Sequence, residues 1–148
     1  LLLCISAVVL FRAWPLLYPE VAVSLQPEPA CDLRVGRCRL TLPMGGEVQF
    51  AIHTPDIPLM QPLTLEVVVD GIAISAVEVD LIGLNMAMGL NRVKLSAQTV
   101  GRYQGTGTLP VCSQQQMQWE ARVLLQTPAG KIAAPFRFET YHGSQEKQ

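Results

Sequence analysis

Apolar and polar residues alternate along most of the chain after residue 35, and glycine, proline or aspartate interrupts the alternation at short intervals. A period of two sends successive side chains to opposite faces of a strand, so each run predicts a strand with one face towards a core. The runs are RCRLTL at 37–42, EVQFAIH at 47–53, LTLEVVVDG at 63–71, AISAVEVDLIG at 73–83, NRVKLSAQ at 91–98, GRYQGTGTLP at 101–110, MQWEARVLLQT at 117–127 and KIAAPFRFET at 131–140. Pro43 with Gly45 and Gly46 breaks the first pair, and the two prolines of TPDIP at 54–58 cannot sit inside a central strand. Asp70-Gly71 predicts a hairpin between the third and fourth runs, and Pro128-Ala129-Gly130 predicts one between the last two. Trp119 shares a face with Met117, Ala121 and Val123 and is expected in the core. No segment after residue 20 shows a 3.6-residue period, so the predicted class is all-β: an immunoglobulin-like β-sandwich of about eight strands.

The first residues follow another pattern. LLLCISAVVLFRAWPLLYP at 1–19 begins with eleven unbroken apolar or small residues, Leu1 to Phe11, fewer than the roughly 18 to 20 that span a hydrocarbon core. Residues 1–19 are therefore expected to be the remnant of a signal anchor or transmembrane segment, residues 20–140 the β-sandwich domain, and residues 141–148 a disordered tail. An uncleaved anchor is favoured over a cleaved leader, because no small-x-small processing site follows and Trp14 and Tyr18 suit a membrane interface. Acylation at Cys4 is a weaker reading, since the preceding Leu3 is bulky for such processing.

Composition narrows the classes further. With 148 residues, 49% hydrophobic and 16% charged, the chain is long enough for one domain with a proper core. The formal net charge is −1 and the eleven Lys and Arg are scattered, leaving no basic stripe to neutralise phosphates; nucleic acid is not an expected partner.

An apolar leader implies an oxidising compartment, where CDLRVGRC reads as a local disulfide between Cys31 and Cys38 across a glycine-containing turn. A redox or metal pair is the competing reading, but six intervening residues match neither C-x-x-C chemistry nor the close pairs of zinc sites. Cys112 is then left as an odd thiol that is buried, paired between molecules, or a ligand.

Few residues could carry catalysis. His53 ends a strand run and His142 lies in the tail, no nucleophile elbow, zinc-protease, P-loop or dinucleotide motif occurs, and an enzyme using Cys112 ranks last. Glu78 and Asp80 alternate with Val77 and Val79 and are expected to form a solvated strand face. Soft ligands are better represented: Met86 and Met88 in GLNMAMGLN, with Met117 and Cys112, are thioether and thiol donors of the kind that select Cu(I). Methionine is also a common gap-filler at the end of a core, and that use of Met86, Met88 and Met117 is the commoner one.

The order VEVDLIGLNMAMGLNRVKL, GRYQGTGTLPVC, MQWEARVLLQT and FRF, within residues 74–138, resembles the FixH/YtkA-like group of small, membrane-anchored, extracytoplasmic β-sandwich proteins. The matching positions are Met86, Met88, Gly101, Tyr103, Leu109, Pro110 and Trp119. The resemblance implies an immunoglobulin-like fold and, for some relatives, copper handling or assembly of haem-copper oxidases. Where relatives that handle copper add histidine near the methionines, this chain has Asn85 and Asn91. The expected function is that of a non-enzymatic accessory protein, anchored in the inner membrane with its domain in the periplasm or another extracytoplasmic space, binding Cu(I) for metalloprotein assembly. The alternative is a metal-free interaction module that docks a protein partner of the envelope through the same end of the domain, including Met60.

Overall fold

The computed structural model describes residues 1–17, 21–111 and 115–141. The chain is all-β after one N-terminal helix. Helix α1 spans Leu2–Leu17, and the strands are β1 (Val21–Ser24), β2 (Cys38–Thr41), β3 (Glu47–Ile52), β4 (Leu63–Asp70), β5 (Ala76–Gly83), β6 (Arg92–Thr99), β7 (Arg102–Gly107), β8 (Gln116–Thr127) and β9 (Gly130–Tyr141). Strands β2 to β9 fall on the eight alternating runs. β1 (VAVS) adds a ninth that the sequence pattern did not mark. Tyr141, expected in a disordered tail, belongs to β9, and the rest of that expected tail, 142–148, lies outside the described residues.

The strands form one nine-stranded sheet in the order β1-β9-β8-β5-β6-β7-β4-β3-β2. All described neighbours are antiparallel except β1, which runs parallel to β9. The sheet curls at β6. Residues Arg92 to Leu95 pair with β5, whereas Ser96 to Thr99 pair with β7. Gly105 of β7 makes that exchange possible: Leu95 Cδ2 lies 2.5 Å from where a Cβ on residue 105 would sit. Curling brings the two halves face to face, and the rings of Phe50 on β3 and Phe136 on β9 meet with centroids 5.5 Å apart.

Inward positions then alternate as the sequence pattern requires. Leu63, Leu65 and Val67 of β4 face Val77, Val79 and Leu81 of β5 within one hydrophobic core, all of them essentially inaccessible to solvent. Trp119 lies in that core, its ring stacked on Phe138 at 6.5 Å and its Nε1–H donating to Thr140 Oγ1 at 2.8 Å. The indole thus buries its apolar body without orphaning its only donor.

The expected hairpin at Asp70-Gly71 does not form. β4 pairs with β3 and β7, β5 pairs with β6 and β8, and residues 71–75 carry the chain from one half of the sheet to the other. Ile72 and Ile74 explain why: both pack against the core, so the segment closes one end of it instead of folding back. The hairpin at Pro128-Ala129 joins β8 to β9 as expected.

Cys31 and Cys38 are disulfide-bonded, with Cα atoms 5.8 Å apart. The bond ties the connection 25–37 to β2, the outermost strand of its half, and a loop this short contributes about 2.5 kcal/mol on the chain-entropy estimate. Helix α1 makes a sharp contrast with the sheet. Leu2, Leu3, Val8, Val9, Phe11 and Trp14 are all exposed, so apolar side chains cover it on every side. Its 16 residues rise about 24 Å. No helix among the described residues is long and apolar enough to cross a membrane.

Candidate functional site

Strand direction sorts the connections into two ends. One, the loop end, gathers 25–37, 53–62, 84–91 and 108–111; the other, the turn end, gathers 42–46, 71–75, 100–101 and 128–129, where β1 also starts. The candidate metal-binding methionines lie at the loop end.

Backbone donors and acceptors beyond the last strand pair must find partners, and at the loop end asparagines supply them. The side chain of Asn85 extends the ladder past Gly83: its Nδ2 donates to Gln116 O at 3.0 Å, and its Oδ1 accepts from Gln118 N at 3.0 Å. Leu84 N donates to Gln118 O at 2.8 Å beside it. Asn91 closes the other side, with Nδ2 donating to Thr108 O at 2.9 Å and its carbonyl accepting from Leu81 N. The 53–62 loop joins through Met60 N, which donates to Leu109 O at 2.8 Å. Asp56, Ile57 and Met60 in that loop all have positive φ. A left-handed conformation is uncommon outside glycine and marked for a β-branched residue such as Ile57, so the surrounding bonds hold this loop in one shape. Asn85 and Asn91, which stand where histidines would favour copper, are thus backbone fasteners.

Between those fasteners the methionines meet over Gly83. A Cβ at that position would lie 2.7 Å from Met88 Sδ, 2.5 Å from Met117 Cε and 3.1 Å from the Met86 carbonyl oxygen. A side chain there would press on the tips of two flexible methionines, so glycine leaves them the space they fill. Met117 is only 2% exposed, while Met86 and Met88 are half-buried against the core. Two of the expected ligands, Met88 and Met117, are brought together; Met86 reaches the same point with its backbone; Cys112 lies outside the described residues. Beside Met88 opens a cavity of about 300 Å³, lined by Asp80, Gly83, Leu90, Asn91 and Arg122 as well. On the other flank of Leu84, a cavity of about 380 Å³ is lined by Cys31, Arg34, Trp119, Phe138 and Tyr141 among others. Among the described residues, no three of His, Cys, Asp and Glu converge as a metal set. Met60, Leu84, Leu90 and Val111 are exposed at the loop end, Leu90 at 79%, interspersed with exposed charged residues that include Asp32, Arg34 and Asp56.

Among the described residues, the outer faces of the sheet hold ionic networks that the sequence did not reveal, around Glu66, around Asp80 and around Glu120, which Arg122 and Arg137 cover. Glu66 on β4 points away from the core yet is only 3% exposed, because long side chains from neighbouring strands close over it. Gln104 Nε2 donates to it at 2.8 Å, Arg37 forms an ion pair with it, His53 Nε2 lies at 3.3 Å and Arg102 at 3.8 Å. Arg37 precedes Cys38, so the disulfide also fixes the cation over the carboxylate. Burial pushes the Glu66 carboxyl up, but hydrogen bonds from Gln104, Arg37 and His53, together with the charge of Arg37, outweigh it and hold the group below the usual carboxylate range. On the other half, Asp80 is buried beneath Arg92, which grips it through Nε at 2.6 Å and a second nitrogen at 2.8 Å. The face expected to be solvated is therefore paired at Asp80. Only the strand register reveals these partners, since Glu66 sits opposite Ala51 and Gln104, and Asp80 opposite Arg92 and Arg122.

The depressed Glu66 pKa gives a stability term that is fully present above the unfolded value, about 4.3, and is lost as pH falls through the folded one. Thermal unfolding of wild type and Glu66→Gln should therefore show the wild type ahead near neutral pH and the gap closing in the acid limb. A gap that stays constant down to about pH 3 would contradict the pairing.

Comparison of this chain with family models, with curated proteins and with solved structures returned no match.

Proposed function

We propose that the chain is a non-catalytic accessory protein of the cell envelope, tethered to the inner membrane by α1, with its domain on the extracytoplasmic side. We read the curled sheet as an immunoglobulin-like sandwich of the FixH/YtkA-like kind, its two layers joined by β6. The carrying observation is the separation of the two ends: α1 leads into β1 at the turn end, while the fastened loop end, with its exposed apolar residues set among charged ones, faces the opposite way. In this reading the loop end, with Met60, Leu84, Leu90 and Val111, docks a protein partner away from the bilayer. Two further features support the assignment. A helix that is apolar all round needs a non-aqueous surrounding, and the Cys31–Cys38 bond suits an oxidising compartment.

One observation favours a second reading, the binding of Cu(I). Met88 Sδ and the Met117 side chain converge over Gly83, and two or three thioether or thiol donors satisfy that soft ion. Met86 and Cys112 are the candidates to complete such a set. The mechanism would be binding and release to a partner with stronger ligands. Burial of Met117 and the fit of both side chains against Gly83 support packing more strongly than ligation.

Each reading has its own test. Full-length chain mixed with phosphatidylcholine/phosphatidylglycerol vesicles should float with the lipid, and Val8→Glu with Phe11→Glu should stay at the bottom of the gradient, since each mid-helix charge costs about 2.5–3.5 kcal/mol in a bilayer. Flotation unchanged by both charges would remove the tether. For copper, anaerobic competition of Cu(I) against a chelator should show wild type and Met88→Leu/Met117→Leu competing equally poorly if the methionines are packing. Tight one-to-one binding lost in the double variant would establish the metal reading instead.

A further inference from the structure

The turn end carries a surface that the tether alone does not explain. Its four connections are Leu-Pro-Met-Gly-Gly at 42–46, Gly-Ile-Ala-Ile-Ser at 71–75, Val-Gly at 100–101 and Pro-Ala at 128–129, and none contains a charged residue. Tips of surface turns ordinarily favour Asn, Asp, Ser and Gly, whose side chains or freedom suit water and tight backbone. Here Met44 is exposed, Ala73 and Ala129 are exposed, and Val100 is fully so.

These tips form one continuous rim. A Cβ on Gly46 would lie 2.6 Å from Asp70 O, which puts the first two connections in contact, and Val69 N donates to Gly101 O at 2.8 Å, which adds the third. Ser75 N donates to Gln126 O at 2.9 Å, linking the crossing segment to the strand that leads into the fourth. Between the second and third runs a groove of about 680 Å³, lined by Ile72, Ile74, Ala97, Val100 and Tyr103 among others.

The same end receives the helix. Val21 pairs with Lys131 beside the 128–129 turn, and a Cβ on Gly130 would lie 2.9 Å from Ala22 Cβ. Leu17 ends α1 only four positions before Val21, a stretch that reaches at most about 14 Å fully extended. A bilayer holding α1 therefore cannot be far from these tips.

We propose that the turn end is a second membrane contact: Met44, Ala73, Val100 and Ala129 rest in the interfacial layer of the lipid surface, so that the domain stands on the membrane with its loop end outward. The proposal depends on the membrane tether proposed above. Its chemistry is uncharged apolar tips entering the boundary between headgroups and acyl chains, with no basic cluster to select a particular lipid.

Depth measurement tests it on the full chain in phosphatidylcholine/phosphatidylglycerol vesicles. In a Cys4→Ser/Cys112→Ser background, a nitroxide is attached at Val9→Cys in α1, at Ala73→Cys or Val100→Cys on the rim, or at Leu90→Cys on the loop end. All are exposed positions whose substitution leaves the core intact. The expected result is that labels at 9, 73 and 100 lose most of their collisions with a water-borne nickel chelate and gain collisions with oxygen, while the label at 90 behaves as in free solution. Protection at 9 but full nickel access at 73 and 100 would overturn the rim and leave the tether standing. Full access at 9 as well would overturn both.

Discussion

Backbone hydrogen bonds tie β6 to both of its neighbours in the sheet, but β6 divides its length between them. Its first half pairs with β5 and its second half with β7. The rest of the architecture depends on that division. It turns one sheet of nine strands into two facing halves, lets Phe50 meet Phe136, and gives the chain a closed core although the sheet has two open edges. Those edges are strands of four residues each, β1 and β2, and the disulfide secures β2. Short edge strands also offer little template for pairing with another chain.

Division at β6 also sets which connections share an end. Because β4 and β5 belong to different halves, residues 71–75 cross the core, and the longer loops collect at the other end. There the chain has spent its asparagines on backbone groups and its methionines on the space above Gly83. Charge is treated in the same way. Glu66 and Asp80 lie on outer faces, where water would solvate them, yet each is covered and gripped by arginine. Such pairs contribute little unless several partners converge; at Glu66 four side chains do.

Much of the fold was legible because alternation marks the strands: LTLEVVVD and MQWEARVLL put Leu65 and Trp119 inside from the pattern alone. The CDLRVGRC bridge was legible from spacing and compartment together. The Asp70-Gly71 signal misled, because a turn dipeptide reports local backbone and not the destination of the chain; Ile72 and Ile74, which close the core, decide that. At the site, the shared end of the methionine loops followed from connectivity, but the meeting of Met88 and Met117 did not. It depends on how two flexible side chains fill the space over Gly83, a position that alternation marks only as the end of a strand. The Glu66 network was hidden for a similar reason: His53, Gln104 and Arg37 are neighbours only after two strand registers and a disulfide are in place.

The central claim is that β6 is shared between the halves while β4 and β5 are not paired. Cross-strand backbone NOEs on isotopically labelled protein test it most directly. The account predicts contacts between Val77 and Leu95, and between Ala97 and Tyr103, with none linking β4 to β5. A ladder of contacts running back from Asp70-Gly71 between those two strands would contradict it, and with it the two facing halves joined at β6.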